Sequence, residues 1–259
     1  MTLAIDIGNS NIVIALYKEG QWTNTFRYET KATQPEFYYE NALRNILLEW
    51  RISSSNLTKC IISSVVPDLN EVISQAVNNV SGCEPLFITP DVLKNLDVVI
   101  PHPYEIGSDI AANAYASVKL HGDHNIIIDF GTALTFTVVN KNDGIIGVTI
   151  APGIMTAIHA LSSNTAQLPT VPLHLPASAI GHDTVSAIQS GVLWGYVGLV
   201  KEVVYRIQNE LPTPYKIIAT GGLSSILHPL EDTIDMVDKM LTLDGMRLIY
   251  EFHTTKNKI

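Results

Sequence analysis

The chain has 259 residues, of which 46% are apolar and 16% charged, and 25 acids against 16 bases leave a net charge of -9. That balance argues against a nucleic-acid surface, which is normally basic, but not against a nucleotide held by backbone amides and metal ions. Two cysteines, Cys60 and Cys83, cannot make a disulfide framework. The opening residues lack the basic and apolar regions of a signal peptide. No window approaches 18 uncharged apolar residues, so no membrane span is expected, and the expected setting is the cytoplasm.

Residues 3–7 form an apolar run interrupted by Asp6, followed by the turn-forming Gly8-Asn9-Ser10-Asn11 and by the β-branched run 12–17. This reads as strand, tight turn, strand. Phe37, Leu43, Ile46, Leu47 and Trp50 mark an amphipathic helix over 36–51. A strand over 60–66 stops at Pro67-Asp68; a helix follows over 70–80 and a short strand over 85–88. Two prolines make 101–107 a loop. Ser108 reads as the N-cap of a helix running to about Leu120 with Ile110, Ala114 and Val118 buried.

At Asn125 the opening pattern returns. An apolar run ends at Asp129, Phe130-Gly131-Thr132-Ala133 follows, and a second strand covers 134–139. Asn142-Asp143-Gly144 signals a hairpin into 145–150. Next come a loop at Pro152-Gly153, a helix over 154–161 and a proline-rich loop through Pro176. Residues 183–211 read as one long helix or two, with glycines at 191, 195 and 198. A strand over 216–220 closes on Gly221-Gly222.

The repeat carries the chemistry. Asp6-Ile7-Gly8-Asn9 and Asp129-Phe130-Gly131-Thr132 share apolar strand, Asp, any residue, Gly and a polar residue. Each turn can aim backbone amides and hydroxyls at a phosphate, and each Asp can organise a cation at a strand end. Two copies point to a duplicated domain that grips one nucleotide, with Gly221-Gly222 as a close-approach turn on the adenosine side. No G-x-x-x-x-G-K-[ST] and no G-x-G-x-x-G occurs, which argues against a P-loop kinase and a Rossmann dehydrogenase. The eight histidines show no ligand spacing.

The order of hairpin, hairpin and Gly-Gly turn resembles the acetate kinase, sugar kinase, Hsp70 and actin superfamily. In detail the chain is similar to the type III pantothenate kinases. Ile5-Asp6-Ile7-Gly8-Asn9-Ser10-Asn11 looks like their opening motif, and Ile62-Ser63-Ser64-Val65-Val66-Pro67 like their ISSVVP segment. Residues 103–114 resemble their P-x-E-x-G-x-D-R-x-x-N-A loop and 129–136 their DFGTATTF motif. Pro152-Gly153, Ile180-Gly181-His182-Asp183-Thr184, Ser190-Gly191 and the closing Leu241-Thr242-Leu243-Asp244-Gly245-Met246-Arg247 follow in the family order.

The resemblance implies an α/β fold of duplicated actin-like (ribonuclease H-like) domains, each a mixed β-sheet flanked by helices, divided here as 1–120 and 121–259. It implies ATP-dependent phosphorylation of pantothenate to 4'-phosphopantothenate, the first step towards coenzyme A. Magnesium, a monovalent cation (potassium or ammonium) and a homodimer come with it. By the same resemblance, Asp6, Ile7, Gly8, Asn9, Ser10, Asn11, Ile12, Val13 and Thr132 bind ATP, and Asp129 holds the monovalent cation. Tyr104, Gly107, Ser108, Asp109, Ile110 and Thr184 line the pantothenate site, with Asp109 as proton acceptor. Asp109 also falls in the first turn of a helix, where the dipole is expected to favour its charged form.

Two positions depart from the family pattern. Ile110 stands where the family has arginine, with no lysine or arginine within eight positions on either side, and Leu134 replaces a threonine. They leave two other readings open: a catalytically impaired nucleotide-binding paralogue with a regulatory or accessory role, and a same-fold kinase for another small hydroxy acid.

Overall fold

The structure, a computed structural model, describes residues 1–164, 168–224 and 228–256. Part of the expected proline-rich loop, 165–167, lies outside the described residues. The chain divides into two compact units, Met1–Ala116 with Leu241–Ile259, and Ser117–Met240.

The first unit is built on β1 (Thr2–Ile7), β2 (Asn11–Lys18), β3 (Gln21–Glu29), β4 (Lys59–Ser64) and β5 (Leu86–Phe87). Their order across the sheet is β3-β2-β1-β4-β5. β1 pairs antiparallel with β2 and parallel with β4. Leu3, Ile5 and Ile7 point to one face, because strand side chains alternate. They pack there against Tyr39, Leu43 and Ile46 of α1 (Glu36–Glu49) and Ile73, Ala76 and Val77 of α2 (Asn70–Ser81). Ala4 and Asp6 therefore take the other face. α3 (Pro90–Leu93) and α4 (Ser108–His121) complete the run, and the division between units falls within α4.

The second unit repeats this plan with β6 (His124–Phe130), β7 (Ala133–Asn140), β8 (Gly144–Pro152), β9 (Lys216–Thr220) and β10 (Met236–Val237). Its order, β8-β7-β6-β9-β10, matches the first sheet strand for strand. Ile126, Ile128 and Phe130 of β6 face α5 (Ile154–Ser163) and α6 (Thr184–Glu210), which leaves Ile127 and Asp129 on the opposite face. Asp6 and Asp129 thus hold the same station: each central strand, one residue from its end, away from the main helical pair. This is the duplicated mixed-sheet fold expected from the repeat.

Three differences are informative. β3 escaped the sequence reading although Trp22, Asn24, Phe26 and Tyr28 alternate with exposed polar residues. The 183–211 segment is one helix, started by an Asp183–Ser186 capping box. The last helix, α7 (Leu241–Lys256), clusters with the first unit and not with the 121–259 segment. It packs on β1 and β4. Gly245 comes so close to the Ala112 backbone that a Cβ would not fit. Trp22 Nε1 donates to Asp244 Oδ1 at 3.1 Å, and the Arg247 guanidinium lies 4.8 Å from the Tyr17 ring centre. A central sheet buried on both faces needs a second cover, and α7 supplies it.

Candidate active site

The first glycine turn joins β1 to β2. Ile7 pairs with Ile12 and leaves a four-residue loop, Gly8-Asn9-Ser10-Asn11, closed by the Gly8 N–H on Asn11 O at 2.9 Å. The residue just after β3 braces it: Thr30 Oγ1 donates to Gly8 O at 2.6 Å, and Thr30 N–H to Ser10 O at 3.0 Å. Asn9 and Ser10 are exposed, whereas Ile7 and Ile12 are fully buried. Any contact of those two isoleucines with a nucleotide would run through their backbone.

The second turn, in the other unit, has the same role in its sheet but one residue fewer. Phe130 pairs with Leu134, leaving Gly131-Thr132-Ala133, closed by the Gly131 N–H on Ala133 O at 3.1 Å. Thr132 is exposed, and its carbonyl accepts from Gly153 N–H at 2.9 Å and from Thr156 Oγ1 at 2.7 Å. Leu134, the position of the missing threonine, is fully buried among apolar neighbours, so that departure belongs to the core. β9 runs beside Asp129 and is followed by Gly221 at φ +89°, the left-handed region that glycine tolerates. A Cβ at 221 would lie 2.5 Å from Asp129 Oδ1. Thr184 begins α6 and is exposed.

Asp109 sits at the start of α4, at the end of the loop through residues 101–107. Ser108, expected as the N-cap, is the first helical residue instead, and Gly107 O accepts the Ala111 N–H at 3.0 Å. The buried Ser108 hydroxyl lies 3.0 Å from Ser63 Oγ and accepts the Ser64 N–H at 3.0 Å. Its side chain therefore fastens the loop to the end of β4 and is not turned to solvent. Asp109 Oδ1 accepts the Ile110 N–H at 2.8 Å. Burial pushes the Asp109 carboxyl above the ordinary aspartate value, against the lowering effect of that hydrogen bond. This reverses the direction expected from the helix dipole alone, because losing water outweighs one turn of amides. Ile110 is half-buried.

A cavity of about 610 Å³ opens between the end of β4, α2 and the start of α3, with Ser64, Glu71, Gln75, Ile88, Thr89 and Pro90 among its walls. That is the size range of small-molecule sites. Tyr104, expected as a substrate residue, is exposed; its hydroxyl accepts from Lys94 Nζ at 2.6 Å, and the ammonium lies 4.4 Å from the ring centre. Sequence reading passed over Lys94 and the cavity. The Lys94–Tyr104 contact joins residues ten apart across an irregular segment, and the cavity walls come from separate elements, so no spacing announces either. Among the described residues, no group of three or more His, Cys, Asp or Glu side chains is placed to hold a metal ion. Magnesium typically rides on nucleotide phosphates with only one or two protein carboxylates, and each glycine turn follows one, Asp6 in the first unit and Asp129 in the second.

The site residues of the first unit, Asp6, the 8–11 turn and the Ser64–Ser108–Asp109 link, gather at one end of its sheet: β1 and β4 both finish there, and Ser64 is their meeting point with α4. Solved structures of low identity share the fold. They include a protein of the Baf family of transcriptional activators from Campylobacter jejuni, with TM-score 0.61, 22% identity and coverage of 98% of this chain and 99% of that one. The activator of 2-hydroxyisocaproyl-CoA dehydratase from Clostridium difficile gives 0.57 and 10%, over 100% and 97%. The architecture is that of the actin-like ATPases and sugar kinases. At the sequence level, the chain is 37% identical over 256 residues to a type III pantothenate kinase from Geobacillus kaustophilus, covering 99% of each. Since residues 2–206 also match the profile of the same family, the chain belongs to the type III pantothenate kinases.

Proposed function

We propose that this chain phosphorylates pantothenate with ATP, the first step of coenzyme A biosynthesis, and that Asp109 is its base. The observation that supports Asp109 as the base is its carboxyl held at the head of α4 by the Ile110 N–H, beside the Ser108 hydroxyl that fastens the loop to β4; burial also raises its pKa. A raised pKa makes a stronger base, provided it stays ionised at working pH. The Asp109 carboxylate takes the hydroxyl proton of pantothenate as that oxygen bonds to the γ-phosphorus. The bond from phosphorus to the β–γ bridging oxygen breaks, and ADP leaves. Phosphoryl transfer is mostly positioning and charge stabilisation, so one carboxylate suffices as base.

In this reading, Asp6 and the turn through Val13 hold the ATP phosphates, Ile7 and Ile12 by backbone only, and Thr132 contributes from the second turn. Gly107, Ser108, Ile110, Tyr104 and Thr184 shape the acceptor site, Ser108 through its backbone. Magnesium, when bound, screens the triphosphate charge. Asp129 holds a potassium or ammonium ion. The enzyme is proposed to work in the cytoplasm as a homodimer. Gly191, Gly195 and Gly198 support the dimer: they form an exposed face of α6 with open space where each Cβ would stand. The neighbouring Leu193, Tyr196 and Val197 are absorbed by the chain's own core and add nothing to that face.

The test is ATP consumption with pantothenate, in potassium and then in sodium buffer. Potassium-dependent turnover is expected. ATP binding without turnover would point instead to an impaired paralogue, and turnover only with another hydroxy acid would reassign the substrate.

A further inference from the structure

The proposed acceptor is an alcohol at one end and a carboxylate at the other. Its binding wall in the first unit is the loop 101–110, which carries Glu105 and Asp109 and no lysine or arginine; none occurs between Lys94 and Lys119. An anion approaching two carboxylates needs a cation on the same wall. Ile110 offers only apolar contact.

Lys94 caps the one-turn helix α3, whose N-cap Thr89 and first residue Pro90 are part of the cavity wall. Its ammonium donates to Tyr104 Oη at 2.6 Å and to Asp91 Oδ1 at 3.2 Å. A lysine has three N–H donors, so one remains for a ligand. The Asp91 partner is 83% exposed, and a pair so solvated yields readily to a better-placed carboxylate. The hydrogen bonds to Tyr104 and Asp91 also keep the ammonium protonated. At its other wall the cavity reaches Ser64, which is bonded to Ser108 beside the base.

We infer that Lys94, presented on Tyr104, is the residue that binds the carboxylate of the acceptor and selects an anionic alcohol over a neutral one. This rests on the pantothenate reading and adds a specificity residue to it. Tyr104 orients the ammonium through its hydroxyl and ring face.

The test compares pantothenate with its primary carboxamide, the same alcohol without the negative charge, for wild type, Lys94→Met and Lys94→Arg. Lys94→Met should raise KM for pantothenate about 10- to 100-fold, as expected for losing a hydrogen bond to a charged group. The effect should appear in KM and not in kcat, because the carboxylate is remote from the reacting phosphorus. The preference for pantothenate over the carboxamide should collapse, and Lys94→Arg should restore it. Equal losses on both substrates would mean that Lys94 only staples the loop, and would overturn the inference. So would an unchanged preference in Lys94→Met. Absence of pantothenate turnover in the wild type would instead sink the function on which the inference stands.

Discussion

Gly107 stands so close to Asp109 that a Cβ at position 107 would overlap Asp109 Oδ1. The proposed base is therefore set by a glycine two residues before it. Gly107→Ala should push the carboxylate out of position and lower kcat about 100-fold, the scale of a displacement of about 1 Å at a reacting group. Circular dichroism should show a folded protein. Wild-type kcat in the alanine variant would show that the carboxylate has room to move without loss.

Ser108→Ala tests the fastening from the other side. It leaves the Ser64 N–H without its hydroxyl acceptor, a loss of about 1–3 kcal/mol when such a group is buried. Chemical denaturation should show that loss together with a lower kcat. An unchanged midpoint would mean that water replaces the hydroxyl.

Asp109→Asn should reduce turnover about 10²–10⁴-fold while ATP still binds. The same variant should be more stable than wild type at pH 7. Burial raises the Asp109 pKa in the folded chain, so ionising the group disfavours the fold. That penalty is absent below the unfolded value of about 3.9 and develops as pH rises through the folded one. Melting temperatures of the two proteins should converge near pH 3 and separate towards neutrality. Equal values at pH 7 would show that the folded site does not resist the charge.

Asp129→Ala should lower activity and flatten its dependence on potassium. Gly221→Ala should do the same, because its Cβ would crowd Asp129 Oδ1 and the backbone there has positive φ. A potassium titration of each variant decides it. A curve matching wild type for Asp129→Ala would remove the cation role from that residue.

The exposed glycine face of α6 predicts a dimer that a bulky charge disrupts. Light scattering should give twice the chain mass for wild type at micromolar concentration and a lower mass for Gly195→Arg. A wild-type mass near one chain would end the dimer reading.

Much of the architecture is legible in the residues themselves. Apolar runs ending in Asp6 and Asp129, followed by glycine turns, fix two equivalent hairpins, because both hydrophobic alternation and turn chemistry are local properties. The Asp183 capping box and the strand ending at Thr220 are local in the same sense. β3 was also legible, in the alternation of Trp22, Phe26 and Tyr28, but its polar outer face weakens the signal of an edge strand.

What the sequence by itself determined is the doubled hairpin, its two aspartates and the helix that opens at residues 108 and 109. Only the tertiary structure decided where α7 belongs, that the Ser108 hydroxyl reaches back to β4, that the Asp109 carboxyl is pushed up and not down, and that Lys94 meets Tyr104. Each of these depends on partners far apart in the chain or on how much water the fold displaces. Neither is encoded in spacing: a dipole at a helix start can be read from neighbouring residues, but the desolvation that outweighs it exists only once the surrounding elements have packed.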